Sequence, residues 1–368
     1  MTIDFSNTEF VQFYMHDFVN GILEETPAEL LKGIPTTPAA THLFDIDDNA
    51  EKLDSQQAIT FHHLVAKLLY LCKRARPDLQ LAVAFLTTRV QGPDVDDWKK
   101  LGQCLTYLRE TKDEKLTLGA DDLGVIKWWI DASFAVHKDY KSHTGATMSL
   151  GRGHPISMSS KQKINTRSST EAKLVGVNDA MSLVLWVRMF LLEQGFEVKD
   201  NVIFQDNQST ILLARNGRQS SGKKTRHIEI RYYFITDSDN ISRGTCSVQY
   251  CPTEQMIADF FTKPLQGSLF RRMRDKILGK HHIGVTDSQE CVGAGASMPT
   301  TNDDVDTEDD VDVTHALMVE GKGFFRVDEE KESAQQVKEK EISQTRQCQS
   351  YSDVVKSKSF PQRSCQHF

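Results

Sequence analysis

The chain has no C-x-x-C pair. Its seven cysteines (Cys72, Cys104, Cys246, Cys251, Cys291, Cys348, Cys365) are odd in number and irregularly spaced. That argues against a disulfide framework or a zinc knuckle and predicts a reducing compartment. No run of about 18 apolar residues stands out, so no membrane span is expected. The N-terminus lacks the basic stretch and apolar core of a secretory signal. Together these absences predict an intracellular protein, cytoplasmic or nuclear. An excess of positive charge is also missing. The 368 residues carry a formal charge of −7, but from Lys280 onward 17 acidic residues face 10 basic ones, so the first 279 residues are balanced at 34 of each. The acidity belongs to the tail, and 368 residues are enough for about two or three domains at roughly 100–200 residues each.

What is present divides the chain by pattern. Residues 1–57 are mixed, with a strand expected over 10–15, a short helix over 17–25, and a Pro- and Thr-rich loop at 33–38. From about 57 to 112 the spacing is helical. Phe61, Leu64, Val65, Leu68, Leu69 and Cys72 recur at three and four residues, and Gly92-Pro93-Asp94 marks a turn into a further helix carrying Trp98, Leu101, Leu105 and Leu108. Strand-like runs follow at 125–136, 144–150 and 154–159, the last two joined by a hairpin turn at Gly151-Arg152-Gly153. A long helix is predicted over 170–194, ended by Gly195. After it come a strand at 201–206, helices at 208–215 and 226–237, a strand at 246–251, and a last helix at 254–262 before Pro264. Three strands followed by alternating helix and strand predict an α/β fold, a mixed sheet with helices on its faces. Seven acids crowd residues 303–312 without apolar periodicity, so the tail is expected to be disordered.

Four carboxylates sit inside or beside apolar stretches. Asp131 interrupts the run 125–136, Asp206 closes the run 201–206, Glu171 opens the long predicted helix, and Asp259 lies within Met256-Ile257-Ala258-Asp259-Phe260-Phe261. A buried carboxylate must be neutralised, paired or bound to a metal. Singly, each has an ordinary explanation. Asp131 fits a strand end paired with a lysine, Glu171 a first-turn acid facing the helix dipole, Asp206 a strand end before a helix cap, and Asp259 a solvated residue. Their order is more specific: first strand, first long helix, fourth strand, last helix. If these elements converge, the carboxylates would form a site for hard divalent cations.

The carboxylates lie within an ordered set of motifs: Ile130-Asp131-Ala132-Ser133, Ser142-His143-Thr144-Gly145, Ser168-Ser169-Thr170-Glu171-Ala172, Asp206-Asn207-Gln208-Ser209, Lys224-Thr225-Arg226-His227-Ile228-Glu229-Ile230-Arg231-Tyr232, Tyr250-Cys251-Pro252-Thr253-Glu254 and Ala258-Asp259-Phe260-Phe261-Thr262-Lys263-Pro264-Leu265. In these motifs the chain resembles the ribonuclease H of copia-type retrotransposon Pol polyproteins. Ala75-Arg76-Pro77-Asp78 and Asp97-Trp98-Lys99-Lys100 resemble the end of the reverse transcriptase of the same polyproteins. The resemblance implies a ribonuclease H-like, mixed five-stranded sheet flanked by helices over 122–266. A small all-α reverse-transcriptase segment at 58–118 would precede it, after a poorly defined 1–57. A basic extension at 267–279 (Arg271, Arg272, Arg274, Lys276) and a disordered acidic tail at 280–368 would follow.

It further implies that Asp131, Glu171, Asp206 and Asp259 are catalytic and hold two Mg²⁺ ions, with Mn²⁺ as a substitute, for hydrolysis of the RNA strand of RNA–DNA hybrids. Relatives carry a mobile histidine in the loop before the last helix; here that loop is Cys251-Pro252-Thr253-Glu254, without one, and His227, near in sequence only, is open to a proton-transfer, phosphate-contact or structural role, with Glu254 as the alternative. Arg215, Arg218, Lys223, Lys224, Arg226 and Arg231 form a basic stretch suited to phosphate contacts. Phe44-Asp45-Ile46-Asp47-Asp48 imitates a polymerase signature, but without an upstream partner aspartate or a tight apolar hairpin it is expected to be a loop. No polymerase activity is therefore expected. The remaining Pol polyprotein is an implied partner, and a membrane is not. Two alternatives stay open: a non-catalytic nucleic-acid-binding or interaction remnant, and an integrase or transposase of the same superfold.

Overall fold

The computed structural model describes residues 1–216 and 245–280. The predicted helix at 226–237, the acidic tail beyond 280, and Arg218, Lys223, Lys224, Arg226, His227 and Arg231 lie outside the described residues.

The chain begins with β1 (Thr2–Asp4), β2 (Val11–Tyr14) and α1 (His16–Glu25). The helical spacing then gives α2 (Ser55–Cys72), a 3-10 turn at Pro77–Leu79, α3 (Gln80–Thr87) and α4 (Val95–Glu110). Local chemistry sets their ends. Asp54 caps α2 by accepting from the Gln57 N–H, and Asp94 and Asp97 form a reciprocal capping box at the start of α4. Arg76 and Asp78 form a buried ion pair between α2 and α3, joined by the Tyr107 hydroxyl. The stretch at 44–48 is irregular, as expected.

Next come β3 (Leu116–Ala120), β4 (Val125–Ser133), β5 (His143–Ser149), β6 (Gly151–Arg152) and β7 (Ile156–Lys161). Then follow α5 (Ser169–Glu193), β8 (Asp200–Gln205), α6 (Gln208–Asn216), β9 (Ser247–Tyr250) and α7 (Gly267–Ile277). The five-stranded sheet has the order β7-β5-β4-β8-β9. It is mixed: β7, β5 and β4 are antiparallel, while β4, β8 and β9 are parallel. A second sheet, β1-β2-β3-β6, gathers the N-terminal strands.

Three expectations change. Gly151-Arg152-Gly153 is not a tight hairpin turn, because Gly151 and Arg152 leave β5 to pair with Ala120 and Gly119 of β3. The positive φ of Gly153 (69°) returns the chain toward β7. The last helix at 254–262 is instead two 3-10 turns, Thr253–Gln255 and Ile257–Phe261. And the basic extension expected at 267–279 is a helix that packs: α7 inserts Phe270, Met273 and Ile277 into the core.

Strand alternation divides the core between the faces of the five-stranded sheet. Ile126, Trp128 and Ile130 pack under α5 and α6. Trp129, Val202 and Phe204 belong to a core shared with α1 to α4, the turn 257–261 and α7. The N-terminal helices therefore pack on the sheet. By length and composition α5 is apolar enough to cross a membrane, a test that a buried core helix also passes. In this fold its stripe Val177, Ala180, Val184, Val187 and Leu191 is buried against the sheet.

Candidate functional site

Asp131 and Asp206 meet at the ends of neighbouring parallel strands. The β4–β8 register runs to Trp129 opposite Phe204, and continuing it by two residues sets Asp131 beside Asp206. Gln205 ties the strand ends by donating to the Ile130 carbonyl at 3.1 Å. Asp131 is completely buried. Cross-strand from it on β5 stands Gly145. A Cβ there would meet Thr262 Cγ2 at 2.6 Å and Ala258 O and Phe261 Cβ at 2.9 Å. The missing side chain lets the 257–261 turn lie directly on the sheet. That turn delivers Thr262, whose hydroxyl donates to Asp131 Oδ2 at 2.7 Å, and Asp259.

Two lysines complete the cluster, and the lysine pairing left open for Asp131 by the sequence is present. Lys173 Nζ lies 2.9 Å from Asp131 Oδ1 and 2.5 Å from Asp206 Oδ1. The Lys173 charge compensates the buried Asp131 oxygen. Lys263 Nζ lies 2.8 Å from Asp259 Oδ1 and 4.0 Å from Asp131 Oδ2. The electrostatics follow. Burial pushes the Asp131 carboxyl up, but Lys173, Lys263 and Thr262 outweigh it and hold Asp131 below the usual carboxylate range. Burial pulls Lys173 down, but the two aspartates more than restore it. Asp259 is pushed up to about 7 by burial and by the Asp131 charge, with Lys263 opposing.

Glu171 is bonded at the start of α5. Ser168 Oγ accepts from the Glu171 N–H at 3.2 Å, and Glu171 Oε2 accepts from the Arg167 N–H at 2.7 Å. Both bonds secure the start of α5, so the capping role open to Glu171 from sequence is the one these contacts describe. Arg215, assigned from sequence to phosphate binding, donates to the Val248 carbonyl at 2.6 Å and ties α6 to β9. Lys173 had a sequence signal: it continues the stripe 177, 180, 184, 187, 191 at three- and four-residue spacing, so it belongs to the face that packs on the sheet.

The donor set does not fit a two-metal site. Mg²⁺ takes oxygen ligands at about 2.0–2.1 Å in near-octahedral array. Here an ammonium stands between Asp131 and Asp206, and Glu171 is bonded to the start of its helix. Among the described residues no three His, Cys, Asp or Glu side chains are grouped so as to hold a metal ion. The contacts described join three of the four expected carboxylates, Asp131, Asp206 and Asp259, through Lys173 and Lys263.

No protein-family model matches the chain. Among curated proteins it is 27% identical over 269 residues to the retrovirus-related Pol polyprotein from transposon TNT 1-94 of Nicotiana tabacum, across 72% of this chain and 20% of that protein. It is 34% identical over 220 residues to the corresponding polyprotein from transposon RE2 of Arabidopsis thaliana, across 59% of this chain and 15% of that protein. To the one from transposon RE1 of the same plant it is 33% identical with the same coverage. The chain spans a fifth or less of the length of these relatives. Its homologues are retrovirus-related Pol polyproteins of plant transposons.

Proposed function

We propose that this chain is a retrotransposon-derived Pol protein whose mixed-sheet unit is of the ribonuclease H type and serves to hold an RNA–DNA hybrid. The observation that carries it is the meeting of Asp131 and Asp206 at the ends of adjacent parallel strands, with Asp259 brought over them by the 257–261 turn. The ordered motifs and the Pol relatives support the same origin. Exposed Lys163 and Arg167, on the loop entering α5, and half-exposed Lys263 offer phosphate contacts beside the cluster.

Hydrolysis of the RNA strand by two Mg²⁺ ions is the second reading. The three aspartates favour it, but the Lys173 ammonium between two of them opposes it. The test is a pair of assays on the full chain with Mg²⁺, one on labelled RNA–DNA hybrid and one on duplex DNA. Binding without cleavage is expected. RNA-strand cleavage would restore the hydrolytic reading, and strand transfer on duplex DNA would indicate an integrase or transposase. Failure to bind the hybrid at low salt would sink the proposed function.

A further inference from the structure

Asp131 is buried at a strand end, so its charge needs a cation inside the fold. A divalent ion is one solution and a side-chain ammonium is another. Lys173 supplies the second, reaching both Asp131 and Asp206 from one turn of α5. It is not a surface lysine folded inward. Its side chain is only 11% exposed, and it opens the stripe by which α5 packs on the sheet. Gly176, three residues on, faces β4, where an added Cβ would be in ordinary contact, 3.5 Å from Ala132 Cβ and from the Asp131 carbonyl, so α5 lies against the strand that carries Asp131. A metal binding here would have to sit beside this ammonium or expel it from a buried position, and either is opposed by charge.

We propose that the Lys173 ammonium is the resident cation of this centre. It stands between Asp131 and Asp206 where a divalent ion would have to stand, so the centre is complete without metal. The assignment concerns the cation alone; only its consequence, that hybrid is held and not cut, rests on the function proposed above.

The full chain is titrated with Mn²⁺, with free Mn²⁺ followed by electron paramagnetic resonance and thermal melts compared in chelator and in millimolar Mn²⁺. The wild-type chain should take up no Mn²⁺ at this centre and keep its Tm. Lys173→Gln should melt lower in chelator, take up Mn²⁺, and regain at least about 4 °C when the ion is added. Lys173→Glu should bind the ion more tightly still. Stoichiometric Mn²⁺ uptake by the wild-type chain that Asp131→Asn abolishes would overturn the proposal, as would a folded Lys173→Gln chain that takes up none. If neither Lys173 variant folds, the wild-type titration with its Asp131→Asn control decides. Absence of hybrid binding together with absence of Mn²⁺ uptake would refute the proposed function and leave the cation assignment standing.

Discussion

Lys173 and Asp131 hold each other in place, and removing either leaves the other buried with less compensation. Lys173→Met should destabilise the chain by about 3–5 kcal/mol, because Asp131 loses its nearest positive charge. From the sequence, Asp131→Asn is expected to leave the fold standing or more stable by relieving a cluster of like charges. The ion pair reverses that sign, and a loss of about 1–3 kcal/mol is expected. Chemical denaturation of both single variants and the double variant should show a double-variant loss well below the sum; strict additivity would mean the two groups do not interact. The buried histidines make a separate prediction. His143 is pushed down to about 3 by burial and by His137, which is itself pushed down to about 4 by burial and Lys161. His154 is pushed down to about 3 by burial and Lys276. The folded chain keeps these rings neutral while the unfolded chain takes up protons below about pH 6.5. Their contribution is therefore whole above about 6.5 and shrinks as pH falls toward 4, by about 1.4 kcal/mol per unit for each histidine. Unfolding free energy flat across that window would contradict the neutral, buried rings.

The 257–261 turn can lie on the sheet only because β5 has no side chain at Gly145. Gly145→Ala should cost about 1–3 kcal/mol through overpacking and lift Thr262 and Asp259 away from Asp131. The second effect is testable on its own: as Asp259 leaves the Asp131 charge and gains water, its carboxyl should titrate lower than about 7, read by NMR of the carboxyl carbon. α7 is the other element whose role is tertiary. Phe270, Met273 and Ile277 are buried, worth about 1.5–3 kcal/mol each, and the Leu278 carbonyl accepts from the Thr117 N–H at 2.9 Å. A chain ending at Leu265 should lose cooperative unfolding, measured by thermal melting followed by circular dichroism.

At the scale of the whole molecule, the helical segment and the sheet share a core. Trp129, Val202 and Phe204 are covered by the same cluster that contains Phe61, Leu68, Phe85 and Leu105. A fragment of residues 118–270 should therefore expose an apolar sheet face, bind a hydrophobic dye and be cut by protease under conditions the full chain withstands. A resistant, dye-silent fragment would show that the sheet unit is self-sufficient.

The sequence by itself determined the local features. The caps at Asp54, Asp94 and Ser168 and the periods of α2, α4, α5 and β4 depend on neighbours within a few residues, and these elements form where their patterns predict. It also placed Asp131, Asp206 and Asp259 on elements that converge. Only the tertiary structure decided which residue of α5 joins them. Glu171 and Lys173 are two positions apart, about 200° around a helix, so one reaches the aspartates and the other secures the helix start. Packing of the α5 stripe against β4 selected the lysine. The contacts responsible join residues more than thirty positions apart: the apolar stripe names the helical face that packs, but only the packed sheet brings two strand-end aspartates to Lys173 on that face.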